Sequence, residues 1–244
     1  MKILFIGNSF SDDCTDLLYN VAYSCGAKDL ILGNLYIGGC TLQRHLQCAE
    51  GDLPDYEYRL NVGEGWVTTF NYRLIDALLS REWDMISFQQ ASGFSGQKES
   101  YQPYLDKLVN FVKGSVKNNP KLVWNMTWAY QGDSTHPQFA DYGNDQQTMY
   151  NAIVSAVKDV VLPTGYFSAV SPTGSAVQMA RGILGDRLTR DGYHLSLDKG
   201  RFLGALCFAK FFLGLDVKKC AYAPEGVDEK TAKILIDCAD KACV

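Results

Sequence analysis

The chain contains 244 residues, of which 47% are hydrophobic, and it carries a formal net charge of −4. This composition is typical of a globular protein with a sizeable core, in one large domain or two small ones. Basic and acidic residues are scattered along the chain without a run of five like charges, so nothing indicates a nucleic-acid surface. No apolar run reaches the roughly 18 residues of a membrane span. Because no signal-peptide pattern follows Met1, we expect a cytoplasmic protein.

Short β-type runs alternate with longer segments whose apolar residues recur near the helical period. The runs lie at 4–6, 30–37, 84–89, 121–127 and 165–170, and the helical segments at 12–25, 70–81, 101–118 and 148–161. This alternation is typical of βαβ units, in which buried parallel strands carry helices on both faces. We therefore predict a three-layer α/β/α sandwich with about five parallel strands and functional loops at the strand C-termini.

Two regions interrupt this alternation. Residues 51–69 hold two aromatic-bearing runs around the turn-prone NVGEG, which predicts a β-hairpin and a candidate lid. Residues 128–147 form a long polar and aromatic loop directly after a strand, and such loops are usually functional. No repeat or linker divides the chain, so we predict a single domain over residues 1–244 that ends in an outer helix within 224–244.

The eight cysteines and three histidines do not predict a metal site. No CxxC pair is present, and the histidines lie far apart, without the HxH or HExxH spacing of zinc ligands. A chain of this length builds a core without disulfide bonds, so we expect mostly buried, reduced thiols.

The stretch KILFIGNSFSD at 2–12 is the most informative part of the chain. Its apolar run breaks at Gly7 and brings Ser9 to the start of a helical pattern, where unpaired N–H groups favour negative charge. Ser9 is therefore a candidate nucleophile. Ser9 and Asp12 also fit a capping box, so this stretch alone leaves a purely capping role open.

A serine nucleophile needs a histidine base and a group that orients the base. His45 lies in a polar helical pattern that favours a solvated side chain, and His136 lies in the long loop, where it could contact a substrate. His194 follows Asp191 by three residues in DGYH, so the carboxylate can fix one imidazole nitrogen while the other faces outward. We therefore assign Ser9, His194 and Asp191 as candidate catalytic residues.

Taken together, GNSFS near the start, the glycines of YIGGCTL and DGYH near the end resemble the SGNH/GDSL hydrolase superfamily of esterases and lipases. Other details, such as FQQASG and PTGSAVQMAR, resemble a bacterial branch of it that is catalogued as a domain of unknown function. The resemblance spans nearly the whole chain. It implies a flavodoxin-like sandwich and a serine acyl-hydrolase mechanism.

The resemblance also implies an oxyanion hole built from three donors. Two are the backbone N–H groups of Ser9 and of a glycine, for which Gly39 is preferred to Gly38. The asparagine of the third sequence block is missing, and SFQQASG stands in its place. A glutamine amide offers the same N–H one methylene further out, so Gln90 is expected as the third donor, with Gln89 in reserve.

The expected reaction is hydrolysis of a small acyl ester, such as an acetyl group on a carbohydrate, with no metal or organic cofactor. Trp66, Trp128 and Tyr130 are candidates for stacking on the substrate, with core packing as the alternative for each. A noncatalytic ligand-binding domain on the same fold remains a second hypothesis. A phosphate or flavin site at the helix N-terminus is a third, which leaves Asp191 and His194 unexplained. The sequence does not indicate an oligomeric state.

Overall fold

A seven-stranded mixed sheet forms the centre of the molecule. The structure, a computed structural model, describes residues 1–244. The strand order is β4-β3-β2-β1-β5-β6-β7, in which β2, β1, β5, β6 and β7 run parallel and the β3–β4 hairpin joins the edge antiparallel to β2. The strands are β1 (Lys2–Gly7), β2 (Ile31–Tyr36), β3 (Tyr56–Asn61), β4 (Trp66–Tyr72), β5 (Met85–Phe88), β6 (Lys121–Asn125) and β7 (Ala169–Ser171).

Helices cover both faces of this sheet, which confirms the predicted three-layer α/β/α sandwich with five parallel strands. One layer contains α1, α2, α7, α8 and α9, and the other contains α3, α4 and α5. None of the helices combines the length and the apolar character needed to cross a bilayer. The helices are α1 (Ser9–Thr15), α2 (Leu18–Ser24), α3 (Leu42–Glu50), α4 (Leu74–Leu79), α5 (Tyr104–Ser115), α6 (Gln146–Ala156), α7 (Thr173–Leu184), α8 (Lys199–Phe211) and α9 (Glu229–Lys241).

The hairpin widens the sheet and does not cover its C-terminal edge as a lid. Tyr56 and Tyr58 of β3 are buried, and the Tyr58 ring stacks on Tyr72 with the ring centroids 4.6 Å apart. This aromatic packing continues β4 to Tyr72, so the helix predicted from residue 70 begins only at Leu74. The helix predicted over 12–25 is likewise divided into α1 and α2.

The topology brings the ends of β1 and β5 together at a switch point. The chain passes from β1 to β2 on one side and later returns to β5 on the other side of β1. In open α/β sheets, ligands bind in the crevice outside the C-terminal ends of strands at such a point. Asn8 and Gln89 directly follow these two strands.

Two glycines of α7 provide a test of how closely this helix packs on the end of β6. A Cβ at Gly174 would lie 2.1 Å from the Thr127 carbonyl oxygen, whereas one at Gly182 would meet nothing within 4 Å. We expect Gly174→Ala to lower the free energy of unfolding by about 1–3 kcal/mol because backbone must shift. Gly182→Ala should raise it by about 0.5–1 kcal/mol because alanine favours the helix. Urea unfolding measures both, and equal effects would contradict the close contact.

Candidate active site

Ser9, His194 and Asp191 form one continuous chain of hydrogen bonds, although 185 residues separate Ser9 from His194. The Ser9 Oγ lies 2.8 Å from His194 Nε2, and His194 Nδ1 lies 2.6 Å from Asp191 Oδ2. The other carboxylate oxygen of Asp191 accepts the His194 N–H at 2.8 Å. An imidazole held in this way carries its proton on Nδ1 and presents the Nε2 lone pair to the serine.

The Ser9 hydroxyl is available because its neighbour caps the helix. Asn8 is the N-cap of α1, and its Oδ1 accepts the Phe10 N–H at 3.0 Å. Ser9 is the first residue of the helix, so its side chain is not needed for the cap. Capping and reactivity are therefore divided between two adjacent residues.

The loop that carries Asp191 and His194 is a tight turn with a fixed carboxylate. Gly192 lies in the left-handed region at φ +90°, and a Cβ there would lie 3.0–3.2 Å from Ser134. Partial burial by itself would raise the pKa of Asp191, but hydrogen bonds from His194 and the Tyr193 N–H hold this pKa below its usual value. Asp191 is therefore ionised at neutral pH and orients the imidazole.

A buried carboxylate, Asp13, ties the helix of Ser9 to the loop of His194. Asp13 is fully buried; one of its oxygens accepts the Leu195 N–H at 2.8 Å, and the other accepts Arg190 at 2.9 Å and Arg201 at 3.0 Å. Arg190 also donates to the Leu195 carbonyl. Burial raises the pKa of Asp13, and both arginines oppose this rise. All three neighbours are donors, so the geometry requires the carboxylate form. We refer to Asp13, Arg190, Arg201 and Leu195 as the Asp13 clasp.

The backbone N–H groups of Ser9 and Gly39, the two expected oxyanion donors, do not appear among the backbone hydrogen bonds of the loops, turns and helix caps. Gly39 is exposed and has φ +62°, a conformation that suits glycine. The Asn8 Nδ2 donates to the Cys40 carbonyl at 3.0 Å and so ties the Gly39 loop to the residue before Ser9.

Buried polar side chains connect the ends of four neighbouring strands. The Gln89 Nε2 donates to Asn8 Oδ1 at 2.8 Å, and the Asn125 Nδ2 donates to Gln89 Oε1 at 2.9 Å. The Thr173 hydroxyl then donates to Asn125 Oδ1 at 2.8 Å. We refer to Asn8, Gln89, Asn125 and Thr173 as the polar ladder. Asn8 and Gln89, which follow β1 and β5, therefore bond to each other at the switch point.

The structure gives Gln90 a different contact from the one expected in an oxyanion hole. Its Nε2 donates to both the carbonyl and the hydroxyl of Ser100, each at 3.0 Å. Its Oε1 accepts the N–H groups of Leu42 and Ala91 at 3.0 and 2.8 Å. Gln90 is 1% exposed, so both amide hydrogens are occupied inside the protein. This bonding corrects the expectation for Gln90, and the backbone N–H groups of Ser9 and Gly39 remain the expected donors.

The aromatic residues suggested for substrate stacking are engaged in contacts within the protein. Trp128 is fully buried, stacks on Phe10 at 4.0 Å and donates its indole N–H to the Tyr193 carbonyl at 2.7 Å. Tyr130 is also fully buried. Trp66 donates to the Asp16 carbonyl beyond the C-terminal end of α1, opposite the end that carries Ser9. Trp128 thus supports both sides of the site from the core without facing a substrate.

His136 lies at the edge of the site. Its ring packs against Tyr193 at 4.7 Å, and Tyr193 packs against His194 at 4.2 Å. Partial burial, followed by the proximity of His194, lowers the pKa of His136, so this ring is neutral at pH 7.

His45 differs from the solvated side chain that its helix pattern suggested. It is fully buried, and its Nδ1 lies 2.9 Å from the Tyr56 hydroxyl. Burial lowers the pKa of His45 to about 3. No cluster of three or more His, Cys, Asp or Glu side chains has the geometry of a metal site.

Sequence reasoning missed the Asp13 clasp and the polar ladder. One available signal was spacing, because Asp13 follows Ser9 by four residues and therefore lies on the same face of α1. The ladder offered no such signal, because its members come from four separate segments of the chain.

Solved structures of two hydrolases share the fold of this protein. It is similar to a putative SGNH hydrolase from Slackia heliotrinireducens, with 20% identity, a TM-score of 0.55 and coverage of 87% of this chain and 98% of that one. An acetylxylan esterase from Geobacillus stearothermophilus has 18% identity and a TM-score of 0.53, with coverage of 91% and 94%. The fold is that of the SGNH/GDSL hydrolase superfamily, as the sequence predicted.

The chain belongs to the family DUF4886, described as a domain of unknown function, whose model matches residues 2–242. A DUF4886 family protein from Bacteroides uniformis ATCC 8492 is 36% identical, with a TM-score of 0.93 and coverage of 98% of this chain and 93% of that one. No curated protein matches the chain.

The Asp13 clasp predicts an asymmetry between two carboxylates that share Arg201. Asp13→Ala should lower the free energy of unfolding by about 3 kcal/mol, because it leaves two guanidinium groups and the Leu195 N–H without their acceptor. Asp16→Ala removes only a partly exposed partner, which Arg201 contacts at 2.8 Å, and should cost less than about 1 kcal/mol. Urea unfolding of both variants checks this difference, and equal losses would refute the role of the clasp.

Proposed function

We propose that the protein is a serine hydrolase that cleaves a small acyl ester. The observation that carries this proposal is the unbroken hydrogen-bond chain from Ser9 Oγ through His194 to Asp191. A serine becomes a nucleophile when a correctly oriented base accepts its proton. The order of groups and both distances suit that transfer, and the hydroxyl is not engaged in the helix cap.

In the proposed reaction, His194 Nε2 takes the Ser9 proton while Ser9 Oγ attacks the ester carbonyl. The N–H groups of Ser9 and Gly39 donate to the oxygen on which negative charge develops. His194 then gives its proton to the leaving alcohol, and a water releases the acid from Ser9 by the same route. Asp191 holds the ring orientation and stabilises the imidazolium. Gln90 enters this hole only if its bonds to Ser100 break.

An acetyl group on a carbohydrate is the proposed substrate. The likeness in fold to an acetylxylan esterase supports this choice. Trp128 and Tyr130 do not support it, because both are buried in the core. The aromatic rings that could contact the sugar are those of His136 and Tyr193 beside His194.

A noncatalytic ligand-binding domain is the second candidate. It is favoured by one observation, the engagement of the Gln90 amide with Ser100, which leaves the site without a side-chain oxyanion donor. Removal of one such donor typically costs about 100- to 1,000-fold in rate. A low rate is therefore compatible with the hydrolase, whereas complete inertness is expected of the binding domain.

Covalent labelling separates the two candidates. We expect a fluorophosphonate probe to label the parent protein and to fail on Ser9→Ala and His194→Ala, because the hydroxyl is inert without its base. Ser11→Ala is the matched control in the same helix, since the Ser11 hydroxyl is buried and donates to the Asn8 carbonyl at 2.8 Å. Mass spectrometry of the adduct locates the label. An unlabelled, folded parent protein would eliminate the hydrolase.

Asp191→Asn tests the tautomer of His194. Oδ1 of residue 191 must accept the N–H groups of Tyr193 and His194, so an asparagine would turn its NH₂ toward His194 Nδ1. That contact favours the proton on Nε2, where the ring cannot accept the serine proton. We expect kcat for a chromogenic acetyl ester to fall by about 10⁴-fold, with little change in the unfolding midpoint. A kcat equal to that of the parent protein would remove Asp191 from the mechanism.

A further inference from the structure

A polar cavity lies at the Asp191 end of the triad. It has a volume of about 310 Å³, and none of the nine residues that line it is hydrophobic. Ser134 and Thr135 line it from the 128–147 loop, and Arg187, Thr189 and Asp191 line it from the catalytic loop. We refer to this cavity as the two-loop pocket. Most small-molecule sites are largely apolar, so this lining restricts the chemistry of an occupant.

Hydrogen bonds between the two loops hold the pocket in shape. The Gln131 N–H donates to the Gly192 carbonyl at 2.7 Å, and the Thr189 hydroxyl donates to Gln131 Oε1 at 2.6 Å. The Gly132 N–H donates to Asp186 Oδ2 at 2.8 Å, and the buried Arg181 pairs with the other oxygen of Asp186 at 2.7 Å. A ligand would therefore meet a preformed pocket and would not have to order it.

The position of the pocket identifies which half of an ester it would hold. In the proposed reaction, His194 protonates the leaving alcohol, so the alcohol half lies on the His194 side of Ser9. The acyl oxygen lies on the other side, toward Gly39. The two-loop pocket lies on the His194 side of the triad, because its lining residues Thr135 and Gly192 directly precede His136 and Tyr193, and the Tyr193 ring packs on His194. An alcohol that leaves past His194 would extend over these two rings toward the pocket.

Several polar groups in and beside the pocket have no partner within the protein. Arg187 and Thr135 line it as exposed side chains without a side-chain hydrogen bond or ion pair in the protein, and the Tyr193 hydroxyl likewise has no protein partner. His136 accepts the Gln138 N–H at Nδ1, so its proton sits on Nε2, for which the protein supplies no hydrogen-bond acceptor. These are donors without acceptors, arranged beside the triad.

The charges around the pocket balance. Two arginines, Arg187 and Arg190, line it together with two aspartates, Asp133 and Asp191. An ionised ligand would meet one favourable and one unfavourable set of charges, and an apolar ligand would strip water from polar groups without replacing their hydrogen bonds. An uncharged ligand rich in hydroxyl groups satisfies both constraints.

We propose that the two-loop pocket binds the alcohol half of the ester and that this half is an uncharged polyhydroxylated ring of the sugar type. Arg187 and Thr135 hydrogen-bond its hydroxyl groups inside the pocket, and Tyr193 and His136 contact it beside His194. The inference rests on the proposed function and adds to it the residues that select the substrate.

The test compares two acetyl esters that differ only in the alcohol, an acetylated methyl pyranoside and ethyl acetate. The measured quantity is the ratio of their kcat/KM values, sugar ester over ethyl ester. We expect Arg187→Ala and Thr135→Val each to lower this ratio, by about 10- to 100-fold for the arginine, because a hydrogen bond from a charged group is lost. Lys230→Ala, an exposed cation of α9, is the control and should leave the ratio unchanged.

Four other outcomes would overturn the inference in part or as a whole. Ratios within twofold of the parent protein in both variants would overturn the inference alone, as would a parent that prefers hexyl acetate to the sugar ester. A tenfold preference for an acetylated uronate over the neutral pyranoside would overturn the uncharged ligand. Absence of turnover with every ester, together with absence of fluorophosphonate labelling, would overturn the proposed function and the inference with it.

Discussion

The Asp13 clasp is the interaction on which the geometry of the site depends. Ser9 and His194 belong to opposite ends of the chain, and their 2.8 Å contact is a single hydrogen bond between flexible side chains. Asp13 lies one helical turn after Ser9, and its partner Leu195 directly follows His194, so this carboxylate joins the two backbones. A buried carboxylate is costly unless its acceptors are satisfied. The clasp therefore fixes the position of the His194 loop relative to α1, because a displaced loop would leave an unpaired charge in the core.

The polar ladder fixes the backbone on the other side of Ser9, as the clasp does on the His194 side. Asn8 caps α1 through its oxygen and holds the Cys40 carbonyl through its nitrogen. An aspartate at this position, as in the GDSL pattern, could not donate to that carbonyl. Gln89 in turn donates to Asn8, so the two side chains form one compatible pair. Inside a protein, such a network is stable only when every member is satisfied.

The two sides of Ser9 therefore differ in character. Toward Gly39 the protein offers backbone N–H groups beside a tightly bonded ladder, whereas toward Asp191 it offers free side-chain donors around an open polar pocket. Trp128 supports both sides from beneath, through its stacking on Phe10 and its bond to the Tyr193 carbonyl. Trp128, a candidate for substrate stacking, thus holds the site in place from the core. In the proposed complex, smaller polar side chains of the pocket face the ligand.

The sequence by itself determined the layers, the five parallel strands and the residue types of the candidate triad, because these depend on local apolar periodicity and short motifs. It could not assign the structural roles of Gln89, Gln90 or Asp13, since each bonds to a partner between 10 and 182 residues away. Nor could it separate a core tryptophan from an exposed one, because amphipathic side chains suit both environments. Only the tertiary structure decided these contacts, because hydrogen-bond partners and burial depend on which distant segments the sheet brings together.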